Sequence, residues 1–238
     1  MRHDDKIPRY ARNDSWLRGG EEGREPMADY TLWCFAQSGN AYKVALMLNL
    51  CGADWTPRFV DYFGGATRTP EYRAVNVMGE VPVLEHGESR LTQSGVILDY
   101  LASGLGKFTP QSAVERREVL RWLLFDNHKL TSYTATYRFL RNWGSNIDPV
   151  VIAFFEQRVK AAWGVLEAHL ATHRFAIGER PTIADLSLCG YLYWPDEIGI
   201  DMAPYPGIRR WLDDIKALPG WKHPYELMPG HPLPARKG

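Results

Sequence analysis

The chain has 238 residues, of which 28 are basic and 28 acidic, so its formal net charge at pH 7 is zero. This balance provides no overall field that would gather nucleic acid or an anionic membrane, so partners must be recognised locally. The length suits one large domain or two modest ones, and we expect two.

No apolar run approaches the roughly 20 residues that a membrane-spanning helix needs, and no signal-peptide pattern opens the sequence. The cysteines Cys34, Cys51 and Cys189 form no CxxC pattern and have no histidines at ligand spacing. This pattern predicts neither a disulfide framework nor a zinc site. We therefore expect a soluble, cytoplasmic protein that holds no metal.

Residues 1–28 mix charges of both signs with glycine and proline and show no apolar period, which predicts a disordered extension. The next elements are predicted to be a strand (Tyr30–Phe35), a loop (Ala36–Asn40), a helix that Gly52 ends, and a strand (Arg58–Asp61). Residues 62–77 are predicted to be irregular. A strand from Val83, a turn at His86-Gly87, a strand ending at Leu91 and a helix to Ala102 complete an α/β module over residues 29–104.

Residues 105–113 carry no periodic pattern and are predicted to be a linker. Residues 114–230 are predicted to form an all-helical domain, with helices over 114–143, 149–171, 182–193 and 206–218. Thr182 and Asp185 have the spacing of a capping box, in which each side chain bonds the other residue's backbone N–H. We interpret Asp185 as structural and as a poor candidate for catalysis.

Val81-Pro82 opens the Val83 strand, and proline lacks the N–H that an interior strand position needs. Only about 5 to 6% of X-Pro bonds in folded proteins are cis, so local sequence favours a trans bond. The Val81 backbone at such an edge is suited to pair with an extended peptide.

Gln93 and Ser94 precede a helix whose first N–H groups are suited to bind a carboxylate. The alternative is that Thr92 or Ser94 merely caps that helix.

Two segments carry a resemblance to a known family. Asn76–Leu84, with sequence NVMGEVPVL, resembles the NPxGxVPxL segment of cytosolic glutathione transferases, and Thr92–Leu101, with sequence TQSGVILDYL, resembles their ESxAIxxYL segment. The resemblance covers residues 30 to about 227 and is nearest to the serine-type, bacterial nu-like and theta-like classes. It implies a thioredoxin-like N-terminal domain and an all-α C-terminal domain.

The resemblance also implies a detoxifying homodimer with glutathione as co-substrate and no other cofactor. Its chemistry would be attack by the glutathione thiolate on a small electrophile. Alternatives on the same scaffold are a glutathione-dependent disulfide-bond reductase, isomerase, dehalogenase or ether-cleaving enzyme, and a non-catalytic interaction module.

Carried over residue by residue, the resemblance implies a glutathione site. The Val81 backbone would pair with the cysteinyl part of glutathione, with Val81-Pro82 in the cis form, and Glu80 belongs to the same segment. Gln93 and Ser94 would hold the γ-glutamyl end, although Gln93 departs from the commoner acidic residue. Thr67 would lie toward the glycine end.

Ser38 and Asn40 are the catalytic candidates. Ser38 matches the serine of the serine-type classes and would donate a hydrogen bond to the sulfur, and Asn40 matches an asparagine of the nu-like type. Alternatively, Ser38 only caps the following helix and Asn40 adopts a turn conformation. Tyr30 begins its strand too early to be the donor, and Cys34 is expected to be a small buried hydrophobe.

The second-substrate pocket is expected between the domains. Its candidate residues are Trp122, Tyr133, Tyr137 and Arg138. The alternative for the aromatic residues is that their helical spacing marks the core.

Overall fold

The computed structural model describes residues 29–233, and the extension predicted for residues 1–28 lies outside them. In the described part, the first domain contains β1 (Tyr30–Cys34), α1 (Gly39–Cys51), β2 (Trp55–Phe59), α2 (Pro70–Val75), β3 (Val83–His86), β4 (Ser89–Thr92) and α3 (Ser94–Leu105). The sheet order is β2-β1-β3-β4, with β2 parallel to β1 and with β3 antiparallel to both β1 and β4. This mixed sheet and its helices α1, α2 and α3 form the predicted thioredoxin-like domain.

The second domain is helical, as predicted. It contains α4 (Ala113–Phe125), a π-helical turn (Asp126–Leu130), α5 (Thr131–Trp143), α6 (Pro149–Leu170), α7 (Ile183–Leu188), a 3-10 turn (Cys189–Tyr191), α8 (Pro195–Ile198), α9 (Pro206–Lys216) and α10 (Pro224–Leu227). No helix among residues 29–233 combines the length and apolar character needed to cross a membrane.

Helix α1 is the central element of the fold. Ser38 caps its start by accepting a hydrogen bond from the Ala41 N–H at 3.1 Å, and Gly52 ends it with φ of +67°. Residues 41–48 of this helix are buried on all sides, because α1 lies between the sheet and the helical domain. The loop before α1 is thereby held at the junction of the two domains.

A buried ion pair joins the two domains beneath this junction. Lys43 of α1 lies 2.7 Å from the Asp126 carboxylate in the π-helical turn, and its ammonium group also donates to Thr131 at 2.9 Å. Thr131 and Ser187 donate to the same carboxylate. Since both charges are almost fully buried, these bonds replace the water that each group loses on folding.

Several predicted boundaries were wrong. The second strand is Trp55–Phe59 rather than Arg58–Asp61, because β2 is a mostly exposed edge strand without apolar alternation, where Pro57 is tolerated. The segment predicted to be irregular contains a 3-10 turn (Ala66–Arg68) and α2, which Thr69 caps and Pro70 begins.

The helical domain also differs in detail from the prediction. The predicted helix over residues 114–143 is one helical run with a π-helical turn at its middle, and the helix predicted over residues 182–193 ends in a 3-10 turn. The short helices α8 and α10 were not predicted. The Thr182–Asp185 capping box is confirmed, with the Thr182 N–H donating to Asp185 at 2.8 Å.

Candidate active site between the two domains

A cavity of about 560 Å³ opens between the loop before α1 and helix α5. It brings together residues that are far apart in sequence, and those of the first domain include Ser38, Asn40, Glu80, Val81 and Gln93. The helical domain contributes Asn127 and Thr131 from the π-turn region, Arg138 from α5 and Tyr191 from the 3-10 turn. Ser94 lines a smaller space of about 20 Å³, together with Asn40, Glu80, Val81, Pro82 and Gln93.

The Val81-Pro82 peptide bond is cis. The trans bond favoured by local sequence was therefore wrong, and the form implied by the family resemblance is present. The carbonyl of Glu80, directly before this bond, accepts hydrogen bonds from the Tyr72 hydroxyl at 2.9 Å and the Asn76 amide at 2.8 Å. Tyr72 and Asn76 are both buried, so the chain entering β3 is held in place.

Gln93 and Ser94 lie at the start of α3, as predicted. Gln93 precedes the helix with φ of +68°, and its side-chain amide donates to the Glu80 carboxylate at 3.2 Å. No side-chain hydrogen bond caps α3; the Ser94 hydroxyl instead lies 3.4 Å from the Asn40 side-chain oxygen. The capping alternative is therefore not observed, and the first N–H groups of α3 carry no side-chain cap.

Ser38 fills the capping role that we considered as an alternative, because its oxygen accepts from the Ala41 N–H. It is 4% exposed and lines the cavity. The bond to Ala41 uses a lone pair of the oxygen, so the hydroxyl proton is still available for donation. The two roles proposed for Ser38 are thus chemically compatible.

Tyr191 is a cavity residue that the sequence analysis missed. A side chain at Gly39 would collide with its ring, so this glycine allows the ring to lie against the first turn of α1. Burial raises the pKa of the Tyr191 phenol, although Arg138, the Asn40 backbone and the Ser38 hydroxyl act in the opposite direction. The hydroxyl at this position therefore remains protonated at neutral pH.

Arg138 lies under the loop that carries Ser38. Its guanidinium is almost fully buried, donates to the Gln37 carbonyl at 2.8 Å and pairs with Glu197 at 2.6 Å. It also lies over the Trp194 ring at 4.0 Å. Glu197 neutralises the charge of Arg138, and the hydrogen bond from Arg138 to the Gln37 carbonyl holds the loop in position.

Two family models match this chain. They are the N-terminal domain of glutathione S-transferases over residues 28–103 and the C-terminal domain over residues 148–214. A maleylacetoacetate isomerase of Rhizobium meliloti is 32% identical over 210 residues, which cover 81% of this chain and 88% of the relative. The chain belongs to the glutathione S-transferase family.

Other members of the glutathione S-transferase family are similar along most of the chain. The crystal structure of a glutathione S-transferase from Pseudomonas fluorescens has a TM-score of 0.78 and 33% identity, covering 82% of this chain and 98% of its own. A disulfide-bond oxidoreductase of Escherichia coli is 25% identical over 192 residues, which cover 78% of this chain and 89% of the relative.

Four residues were predicted to form the second-substrate pocket, and three of them, Trp122, Tyr133 and Tyr137, do not line the cavity. Trp122 is 2% exposed and packs against His169. Tyr137 is also buried, and its hydroxyl accepts a hydrogen bond from Arg141. Tyr133 contacts Arg158 outside the cavity. Of the four, only Arg138 lines the cavity. Helical spacing of aromatic residues predicts a buried helix face, but it does not show whether that face packs in the core or lines a pocket.

Thr67, predicted to lie toward the glycine end, also does not line the cavity. It is buried in the 3-10 turn. The carbonyl oxygen of Thr67 lies so close to Gly79 that a Cβ atom added to Gly79 would be only 2.8 Å from it. Thr67 thus supports the turn that leads to Glu80.

Tyr30 and Cys34, the two residues that the sequence analysis set aside as catalytic candidates, are both buried. Tyr30 is 7% exposed and its ring stacks on His86. Burial raises the pKa of the Cys34 thiol to about 12.

The apolar wall of the cavity is aromatic. It consists of Phe35, Tyr62, Phe63, Phe139 and Trp143. The Phe35 and Tyr62 rings are stacked with centroids 4.9 Å apart, and the centroids of the Phe63 and Trp143 rings are 5.3 Å apart. Sequence analysis missed this aromatic wall, since its members come from three separate segments. The adjacent Tyr62-Phe63 pair in an otherwise polar stretch was the available signal.

Proposed function

We propose that this chain is a glutathione transferase, which activates bound glutathione as a thiolate for attack on an electrophilic apolar or aromatic substrate. The observation that carries the proposal is that Ser38, the cis Val81-Pro82 edge and the Gln93-Ser94 helix start lie around one cavity and the smaller space beside it, both of which Val81 and Gln93 line. In this arrangement the Val81 backbone would pair with the cysteinyl residue, while Ser94 and the start of α3 would bind the γ-glutamyl carboxylate.

Thiol activation is the main energetic requirement. A free thiol has a pKa of about 8.5, and lowering it by about two units needs roughly 2.7 kcal/mol of preferential stabilisation of the thiolate. The Ser38 hydroxyl and the N-terminus of α1 would supply it, because a hydrogen bond to a charged acceptor contributes about 1.5 to 3 kcal/mol. Asn40 and the protonated Tyr191 hydroxyl lie beside this position.

The second substrate would lie against the aromatic wall. The flat rings of the wall favour a planar apolar group. Packing of this group against the wall would bring the electrophilic carbon close to the sulfur and exclude water. The thiolate sulfur forms a bond to this carbon. The electron pair that is displaced leaves with the departing group or, in a conjugated acceptor, takes up a proton from water.

Substitution of Ser38 tests the proposal. Ser38→Ala should raise the apparent pKa in kcat/KM for the electrophile, measured at saturating glutathione, by about one to two units, because one hydrogen bond to the thiolate of bound glutathione is lost. The ultraviolet absorbance of the thiolate on adding glutathione measures the same shift without turnover. A Ser38→Ala protein with an unchanged profile and unchanged thiolate absorbance would contradict the catalytic role of Ser38.

A glutathione-dependent isomerase or disulfide reductase is the second candidate, favoured by the relatives named above. A reductase would use one glutathione to form a mixed disulfide and a second to release oxidised glutathione. Mass analysis with isotope-labelled glutathione separates the outcomes. A thioether product supports transfer, oxidised glutathione supports reduction, and unchanged glutathione with a rearranged substrate supports isomerisation. Failure to bind immobilised glutathione would favour a non-catalytic interaction module.

The homodimer implied by the family resemblance also remains a proposal. Val96 of α3 and Leu120 and Leu124 of α4 are each more than half exposed and line one groove. Since contiguous exposed apolar side chains are typical of association surfaces, this face is the candidate contact between two copies. Sedimentation of the protein with and without Leu120→Glu tests it.

A further inference from the structure

The cavity is unevenly charged. Among the described residues that line it and the smaller space beside it, the side chains with a formal charge at neutral pH are Glu80 and Arg138. Arg138 is buried and its charge is paired with Glu197. Glu80 is exposed, and the neutral amide of Gln93 donates to one of its carboxylate oxygens at 3.2 Å. The net charge that a ligand would meet is therefore the single negative charge of Glu80.

The γ-glutamyl end of glutathione carries an ammonium group as well as a carboxylate. An ammonium group has three donors and no acceptor, so it is bound best by a carboxylate. Gln93 offers only a neutral amide here. We propose that the Glu80 carboxylate binds the α-ammonium group of the γ-glutamyl residue, which makes Glu80 the residue that selects for a free γ-glutamyl amine. This inference rests on the proposed function.

The surroundings of Glu80 support this role. Its carbonyl is fixed by Tyr72 and Asn76, so the side chain starts from a held position. The Gln93 amide bonds to Oε2 of the carboxylate and draws it toward the start of α3. Glu80 also lines the small space that contains Ser94, where the γ-glutamyl carboxylate would bind. The two charged groups of the γ-glutamyl end thus have complementary partners at one position.

The experiment compares two peptides and three proteins by isothermal titration calorimetry. The peptides are glutathione and its deamino analogue, glutaryl-cysteinyl-glycine, which lacks only the α-ammonium group. The proteins are the wild type, Glu80→Gln, and the double variant Glu80→Gln with Gln93→Glu, which moves the carboxylate to the neighbouring position. Both substitutions keep side-chain size, and thermal unfolding curves check that each variant is folded.

The wild type should bind glutathione about five- to tenfold more tightly than the analogue, in line with a partly exposed charge-assisted hydrogen bond. Glu80→Gln should lose this difference by weakening the binding of glutathione without weakening that of the analogue, and the double variant should recover the difference. Glu80→Gln weakening both peptides equally, or neither, would overturn the inference while leaving the proposed function intact. A wild type that binds neither peptide would overturn both.

Discussion

The Nη1 atom of Arg138 donates a hydrogen bond to the carbonyl oxygen of Gln37 at 2.8 Å, which ties helix α5 to the residue directly before Ser38. The other arm of the guanidinium pairs with Glu197 and contacts the Tyr225 hydroxyl at 3.2 Å. The same loop is held from the C-terminal segment, because the Ala36 N–H donates to the Pro229 carbonyl at 2.7 Å. The position of Ser38 therefore depends on contacts made by the second domain.

Arg138→Lys should weaken both the fold and the thiol site. A lysine ammonium cannot reproduce the planar fork that reaches Gln37 and Glu197 together, so one of these acceptors loses its partner. We expect a loss of about 1 to 3 kcal/mol in the free energy of unfolding, measured in urea. We also expect a lower kcat, with a raised pKa for the thiol of bound glutathione.

Arg121→Lys is the matched control, because Arg121 pairs with Glu118 at the surface with both side chains exposed. Its effect on stability should stay within about 0.5 kcal/mol. An equal effect of the two lysine substitutions would show that Arg138 has no special structural role.

Tyr191→Phe should reduce turnover without changing the shape of the pH profile. Burial raises the pKa of this phenol, so it is protonated through the neutral range and does not titrate in the assay. Removing its hydroxyl takes one polar group away from Ser38 and the Asn40 backbone, with an expected fall in kcat of about fivefold. A profile whose basic limb disappears in Tyr191→Phe would instead identify the phenol as a titrating catalytic group.

The sequence predicted features that depend on near neighbours in the chain. The capping box of Thr182 and Asp185 is local, and so is the polar start of α3 at Gln93 and Ser94. Tyr191 and the aromatic wall come from segments far apart, so no local pattern marks them. Trp122 has the spacing of a buried helix face, but whether that face meets the core or a cavity depends on tertiary packing.

The buried pair of Lys43 and Asp126 should give a large coupling energy in a double-mutant cycle. Lys43→Met alone leaves a buried carboxylate without its cation, which costs about 3 to 5 kcal/mol. The double variant Lys43→Met with Asp126→Leu should recover much of this loss, since no uncompensated charge remains. Urea unfolding of the four proteins measures the coupling. Additive losses would indicate that the hydrogen bonds from Thr131 and Ser187 satisfy Asp126 without the lysine.

The three cysteines should differ in their rate of alkylation. Cys34 and Cys189 are fully buried, and burial raises the pKa of both thiols, that of Cys34 to about 12. Cys51 is only partly buried, and although burial raises its pKa too, nearby Lys107 opposes the shift. Because the thiolate is the reactive form, iodoacetamide should label Cys51 first, and the other two only when the protein unfolds.

Mass analysis of peptides after brief labelling, with and without urea, measures these rates. Native protein labelled only at Cys51 should still bind glutathione, because Cys51 lies at the end of α1 opposite to Ser38 and does not line the cavity. Under the proposed mechanism the thiol that titrates during turnover belongs to glutathione. Rapid labelling of Cys34 in the native protein, with loss of activity, would assign that role to a thiol of the protein instead.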